Sequence, residues 1–184
     1  MSAAVVERKS LAGRATPVGR RAIAIWALTA AFGLALVGLI VGAPLAASSG
    51  HLAFATAIYK AFSFVCHQIP ERSFHLAEHK FAVCSRCTGL YAGFAVAALG
   101  YPLIRPLKLT DTPRRLWLIL AAVPLTIDFA LGYFSIWQNN HLSRFLTGAL
   151  LSSVAVFYVI PGLIDLSSAI ARRFGRARTS EARP

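Results

Sequence analysis

Residues 22–43, AIAIWALTAAFGLALVGLIVGA, contain no charged side chain. At ~1.5 Å per helical residue, such a run crosses the ~30 Å hydrocarbon core of a bilayer, where a chain must satisfy its own backbone hydrogen bonds. That stretch alone sets aside most soluble folds. Three further apolar runs follow: 88–104, which is also free of charge, 116–134, interrupted by Asp128, and 142–163, with Arg144 near its start. The expectation is an all-α, polytopic membrane protein with four transmembrane helices. Only 14% of the residues are charged while 57% are hydrophobic, too few charges to cover a soluble surface of this size.

Between the first two long runs, residues 51–65, HLAFATAIYKAFSFV, are helix-compatible but short and interrupted by Lys60. They read as an additional interfacial helix, with the Lys60 ammonium reaching toward water. Pro44 and the following AASSG are expected to end the first span, and Thr112 and Pro113 to serve as N-cap and first residue of the third. Gly89 and Gly93, four apart, leave one face of the second span open to close helix contact. Inside the third span Pro124 frees a backbone carbonyl, and Asp128 is an ionisable group at a depth where it must face protein. Trp137 falls at an interfacial level. The predicted organisation is a basic N-terminal segment, 1–21, a four-span membrane domain, 22–166, with a Cys/His loop at 44–87, and a basic tail, 167–184, irregular from Arg172 onward.

The formal charge of +12 does not point to nucleic acid, because the basic residues flank the apolar runs and no arginine-rich motif interleaves with aromatics. Residues 1–21 resemble the start of a signal peptide, but the run behind them exceeds the ~7–15 residues of a signal core, so an uncleaved first span is expected. With four spans, the N-terminal segment (five Lys and Arg), the 105–115 loop (four) and the tail (five) share one side and hold fourteen of the 19 basic residues. The positive-inside bias then places both termini in the cytoplasm and the 44–87 loop on the outer face. The same topology gathers every cysteine and histidine outside: His51, Cys66, His67, His75, His79, Cys84, Cys87 and His141.

Cys84-Ser-Arg-Cys87 has a spacing shared by structural zinc sites and redox dithiols. With Cys66 and His67 it supplies three thiolates and one imidazole, enough for a tetrahedral zinc site. His75 or His79 would be alternative fourth ligands, on one face if 75–80 is helical. Iron or copper would suit the same soft donors. A second reading has Cys84 and Cys87 cycling between dithiol and disulfide, Arg86 favouring a thiolate, Cys66 as resolving thiol and a membrane quinone as electron acceptor. A structural disulfide from Cys66 to Cys84 or Cys87 is the plain alternative. Glu71 and Glu78 are available to orient a ligating imidazole. Candidate catalytic residues are Asp128, Arg144, Arg72, Cys84 and Cys87. Asp128 and Arg144 are placed to meet across the 135–141 turn as a helix-stapling ion pair, and Arg144 and Arg72 alternatively suit a phosphate or carboxylate headgroup.

Cys66-His67-Gln68, Pro70, Arg72-Ser73-Phe74 and the run Cys84-Ser85-Arg86-Cys87-Thr88-Gly89-Leu90-Tyr91 with Gly93 together resemble a family of small bacterial and archaeal predicted membrane proteins catalogued as a domain of unknown function. The likeness spans roughly residues 55–165, including Asp128 and the Asn140, Arg144, Thr147-Gly148 group. Family members often carry glycine directly after the intramembrane aspartate, where this chain has Phe129. The resemblance implies an integral protein of a bacterial or archaeal cytoplasmic membrane with a shared Cys/His site, and brings no reaction with it. Three readings follow: a membrane protein with an outer-face Cys/His metal site, a quinone-linked thiol–disulfide oxidoreductase, and a non-enzymatic subunit or small transporter that requires a homo-oligomer. A lipid-phase or envelope substrate belongs to the first.

Overall fold

The computed structural model describes residues 19–109 and 111–181. All but the last three residues of the expected 1–21 segment lie outside that range, as do residues 182–184. Five α-helices carry the chain: α1 (Arg20–Ser48), α2 (Leu52–Ser63), α3 (Ser85–Ile104), α4 (Arg115–Tyr133) and α5 (His141–Glu181). A 3₁₀ turn at Pro70–Arg72 and a two-stranded antiparallel hairpin, β1 (His75–Leu76) and β2 (His79–Lys80), fill the segment between α2 and α3. Helices α1, α3, α4 and α5 are long and apolar enough to cross a membrane, and α2 is the shorter interfacial helix. The protein is thus an all-α, polytopic membrane protein with four long apolar helices.

Its centre is the crossing of α3 and α5. A Cβ on Gly89 would overlap the backbone carbonyl of Phe145, one on Gly148 would overlap the carbonyl of Arg86, and one on Gly93 would sit 2.6 Å from Ala149 Cα. Small residues on both helices thus bring two backbones together, which is how helices associate in lipid without a hydrophobic drive. Ser153 Oγ adds a hydrogen bond to the Gly93 carbonyl at 3.2 Å. Helix α1 packs beside them, and Gly33 admits it to within contact of Ala95 and Phe94.

Proline explains two further joints. Each proline inside a helix lacks the N–H that would bond the carbonyl four residues back, so that carbonyl needs another donor. Pro102 frees Ala98 O, which accepts from Trp26 Nε1 of α1 at 2.7 Å. Pro44 frees Ile40 O, which accepts from the backbone N–H of Ala82 at 3.4 Å. The sequence predicts that Pro44 ends the first span. Instead α1 runs on to Ser48, Pro44 is fully buried, and the carbonyl it releases docks the segment leading to Cys84.

Three other expectations change. Helix α4 starts at Arg115 with Arg114 as its N-cap, rather than at Thr112–Pro113. Residues 75–80 form a hairpin, not a helix, because Ala77 and Glu78 both adopt positive φ (50° and 64°), the signature of a tight type I′ turn. The α5 backbone stays helical to Glu181, where an irregular tail was the expectation. Two apolar clusters fill the bundle. One, around Tyr101, Val156 and Ile160, lies toward the end carrying the 105–115 loop; the other, around Ile40, Ile58, Phe62 and Val83, underlies the cysteines.

Candidate thiol site

The three cysteines come from two places fixed independently. Cys66 closes the end of α2, its N–H bonded to Phe62 O at 3.0 Å, and is buried at 7% exposure. The chain then reverses sharply: Gln68 takes a left-handed φ of 51°, a conformation that costs a non-glycine residue ~1–3 kcal/mol unless neighbours enforce it. They do so here. Gln68 Nε2 donates to Tyr59 O at 2.7 Å, Lys80 Nζ donates to Gln68 O at 2.6 Å, and Tyr59 Oη donates to Lys80 O at 2.5 Å, a closed ring of contacts joining α2, the turn and the hairpin. Burial raises the Tyr59 phenol above its ordinary pKa, which keeps it a donor.

Cys84 is the N-cap of α3 and Cys87 lies in its first turn. The Cys84 N–H donates to Cys66 Sγ at 3.2 Å, drawing the two segments together. All three Sγ atoms lie within 4.8 Å of one another. Hydrogen bonding from the thiols of Cys84 and then Cys87, aided by the Cys84 and Gln68 backbone N–H groups, holds the Cys66 thiol well below its ordinary pKa against the opposing effect of burial. The cysteines are free, not bridged. A tetrahedral ion with ~2.3 Å bonds to sulfur would hold its ligands about 3.8 Å apart, so the cluster can coordinate a metal ion with little adjustment.

No histidine joins it among the described residues, which corrects the expected Cys/His site. His67 is exposed, and although it lines the same cavity, its ring nitrogens stay outside the sulfur group. His75 pairs with Lys80 and His79 with Leu76, so the two histidines project from opposite faces of the hairpin and both are exposed. His141 packs on Phe74 with ring centroids 5.5 Å apart, and His51 is an exposed residue ahead of α2. His67 was expected from its place beside Cys66, and only His75 and His79 rested on helical spacing at 75–80, a geometry that the type I′ turn removes.

The motif between the cysteines builds the site's rim. Ser73, 1% exposed, donates to Ile69 O at 2.8 Å and closes the 3₁₀ turn; Phe74 packs against Phe81 and Phe145; Ser85 Oγ donates to Arg72 O at 3.0 Å. Arg72 is thereby locked by its backbone to Ser85, the first residue of α3. Thr88 caps back onto Cys84 O, and Gly89 then seats α3 on α5.

The sulfurs open into a cavity of about 430 Å³, within the ~300–1,000 Å³ range of small-molecule sites. Val65, Cys66, His67, Gln68, Ile69 and Arg72 line it from the segment after α2, Cys84, Arg86 and Cys87 from the start of α3, and Phe129, Gly132, Tyr133, Ser135, Asn139 and Arg144 from α4, the turn after it and α5. Asp128 does not pair with Arg144. Its carboxylate takes the guanidinium of Arg86, and this is the one ion pair among the described residues. Arg86 therefore also differs from the expected thiolate partner: it crosses from α3 to α4, with its guanidinium carbon 5.5 Å from the centre of the Phe129 ring. Asn139 Nδ2 donates to the Asp128 backbone carbonyl and folds the 135–140 turn over Gly132, where a Cβ would lie 2.9 Å from Asn139 Oδ1. Arg86 Nε and Asn139 Oδ1 are buried without partners. The intramembrane Asp128 signalled that it must face protein, with Arg144 as the expected partner; that Arg86 meets it instead depends on helix rotation. Tyr59, Lys80 and the Phe129–Tyr133 wall carried no sequence signal beyond their apolar or basic character.

Four spans with three thiols clustered at one end of the bundle, beside a cavity lined by arginines, define a polytopic membrane protein of the thiol-cluster class. The chain belongs to the family described as Predicted membrane protein (DUF2085), which it matches over residues 66–158, from the first cysteine into α5. It is similar to an uncharacterised protein of Methanocaldococcus jannaschii, 36% identical over 109 residues that make up 59% of this chain and 70% of the relative. An uncharacterised protein of Methanothermobacter thermautotrophicus is 39% identical over 87 residues, 47% of this chain and 77% of that protein. No solved structure matches the chain.

Proposed function

We propose that the protein is a quinone-linked membrane thiol–disulfide oxidoreductase working through Cys84 and Cys87, with Cys66 as the third, resolving thiol. The observation that carries this reading is the convergence of three free sulfurs within 4.8 Å at the wall of a small-molecule cavity. The thiols of Cys84 and Cys87 hold the Cys66 thiol below its ordinary pKa, so Cys66 is the readiest thiolate of the three. In the oxidising half, the two thiols lose two protons and two electrons as one S–S bond forms, and a quinone takes up both to become a quinol. In the other half, a substrate dithiol attacks that bond, passes through a mixed disulfide, and leaves as its own disulfide while Cys84 and Cys87 return to thiols. Val65, Ile69, Phe129 and Tyr133 offer the apolar and aromatic surface that a quinone ring would meet. The charge bias along the sequence supports a site at the outer face of the cytoplasmic membrane with both termini inside.

A second reading is favoured by the same sulfur distances: three thiolates holding one soft ion, zinc before copper(I) or iron, with a ligand from the cavity in the remaining position. One preparation in mild detergent separates the two. Thiol trapping under quinone-rich and quinone-depleted conditions should show Cys84 and Cys87 changing state, and metal analysis of the same sample should show less than one equivalent of zinc, copper or iron. Full metal loading with thiols in one fixed state supports the second reading. A fixed thiol state with no metal leaves a non-enzymatic subunit, for which a particle larger than a monomer is the sign. A membrane-impermeant thiol reagent applied to intact cells tests the orientation: labelling of Cys84 from outside is the expected result.

A further inference from the structure

The cavity contains a recognition element that thiol chemistry does not require. Arg72 from the 3₁₀ turn, Arg86 from α3 and Arg144 from α5 all line it, and no aspartate or glutamate is among its lining residues. Asp128, which is not among them, makes its ion pair with Arg86. Arg72 and Arg144 thus bring two positive charges to one small cavity without a carboxylate within ion-pair distance among the described residues. Arg144 is only partly exposed, and like charges gathered in a half-buried space repel unless an anion lies between them. Arg72 cannot simply swing its backbone away, because its carbonyl is held by Ser85 Oγ at 3.0 Å and Ser85 is fully buried.

We infer that this cavity is an oxyanion receptor, in which Arg72 and Arg144 bind a phosphate-class group of a ligand whose apolar body lies against Ile69, Phe129 and Tyr133. A planar guanidinium presents parallel N–H donors that fit two oxygens of one phosphate, and two such groups from different elements fix its position. The ligand's remaining atoms then face the three sulfurs. This inference goes beyond the thiol reading and holds whether or not Cys84 and Cys87 cycle. The same headgroup chemistry is offered by an acidic phospholipid and by a soluble phosphate ester.

The test is thermal unfolding of the full chain, purified in a non-ionic detergent, during titration with inorganic phosphate, with chloride at equal ionic strength as the control for screening. A saturable rise in the midpoint with phosphate, absent with chloride, is expected. The half-saturating concentration should increase about tenfold in Arg144→Gln and by a smaller factor in Arg72→Gln, with Arg144→Lys in between. Arg105→Gln, on the loop beyond the other end of α3, should leave it unchanged. Should Arg144→Gln fail to fold, the exposed Arg72→Gln carries the comparison. The source is read in nanodiscs of phosphatidylcholine with and without phosphatidic acid. A shift with the acidic lipid that free phosphate competes away identifies a lipid headgroup, and a shift with free phosphate alone identifies a soluble ester. No saturable shift with either probe, or one undiminished in the Arg72→Gln/Arg144→Gln double variant, overturns the inference. Thiol trapping on the same samples reports the thiol reading separately.

Discussion

One wall of the cavity, carrying Cys66, Cys84 and Cys87, is braced from three sides. Helix α3 sits backbone to backbone on α5, the Ile40 carbonyl holds Ala82, and the Tyr59–Gln68–Lys80 ring holds the turn after Cys66. The opposite wall, from Phe129 to Asn139, hangs on α4, in which Ala121 is the only buried residue, and on the Arg86–Asp128 pair with its Asn139 clasp. Both unpartnered polar atoms of the site, Arg86 Nε and Asn139 Oδ1, lie at that joint. Rigid packing thus fixes the sulfurs, while polar contacts with donors and acceptors to spare set the side that would receive a ligand. Reactive atoms gain from a fixed geometry, whereas a wall that admits a ligand must be able to yield.

The largest effect should come from attacking the rigid wall. Gly148→Leu drives a side chain into the Arg86 carbonyl and should destabilise the bundle by about 3 kcal/mol or more, seen as loss of folded protein on size exclusion. Asp128→Asn strikes the tethered wall. Arg86 would be left without its partner at 20% side-chain exposure, and a cost of about 1–3 kcal/mol is expected, with faster amide exchange confined to the 128–139 region. Adding Arg86→Gln should recover part of that loss; equal or greater damage in the double variant would show that the pair is not the tether. Pro44→Ala returns to Ile40 O a donor from its own helix and releases Ala82, so α1 should hold or gain stability while Cys84 labels faster with a thiol reagent. Unchanged labelling would mean that the Ala82 contact does not position the cysteine. The smallest effect belongs to the histidines: His67→Ala, His75→Ala and His79→Ala should each stay within about 0.5 kcal/mol and leave the thiol reactivity of the cluster intact.

Much of the architecture could be read from local composition. A long apolar run satisfies its backbone as a helix in lipid, so the four spans, the short interfacial helix and the close contact at Gly89 and Gly93 followed from residues near one another in the chain. The grouping of Cys66 with Cys84 and Cys87 was equally legible, because the loop between them had to bring its soft donors somewhere. The histidines were not: His67, expected from its place beside Cys66, stays outside the sulfur group, and for His75 and His79 two positive-φ residues without glycine or asparagine turned an expected helix into a hairpin.

What the sequence by itself determined is the number of apolar helices, the residue types available at one end of the bundle, and the need for Asp128 to face protein. Tertiary structure alone decided that Arg86 meets it, that Arg144 is left facing a cavity with Arg72, and that a proline in α1 exposes the carbonyl on which the Cys84 segment rests. The division has a physical basis. Hydrophobic transfer sums over a window of neighbouring residues and so is written in the sequence, whereas the choice among three arginines depends on the rotation of each helix about its axis. That rotation is fixed by where glycines let two backbones touch.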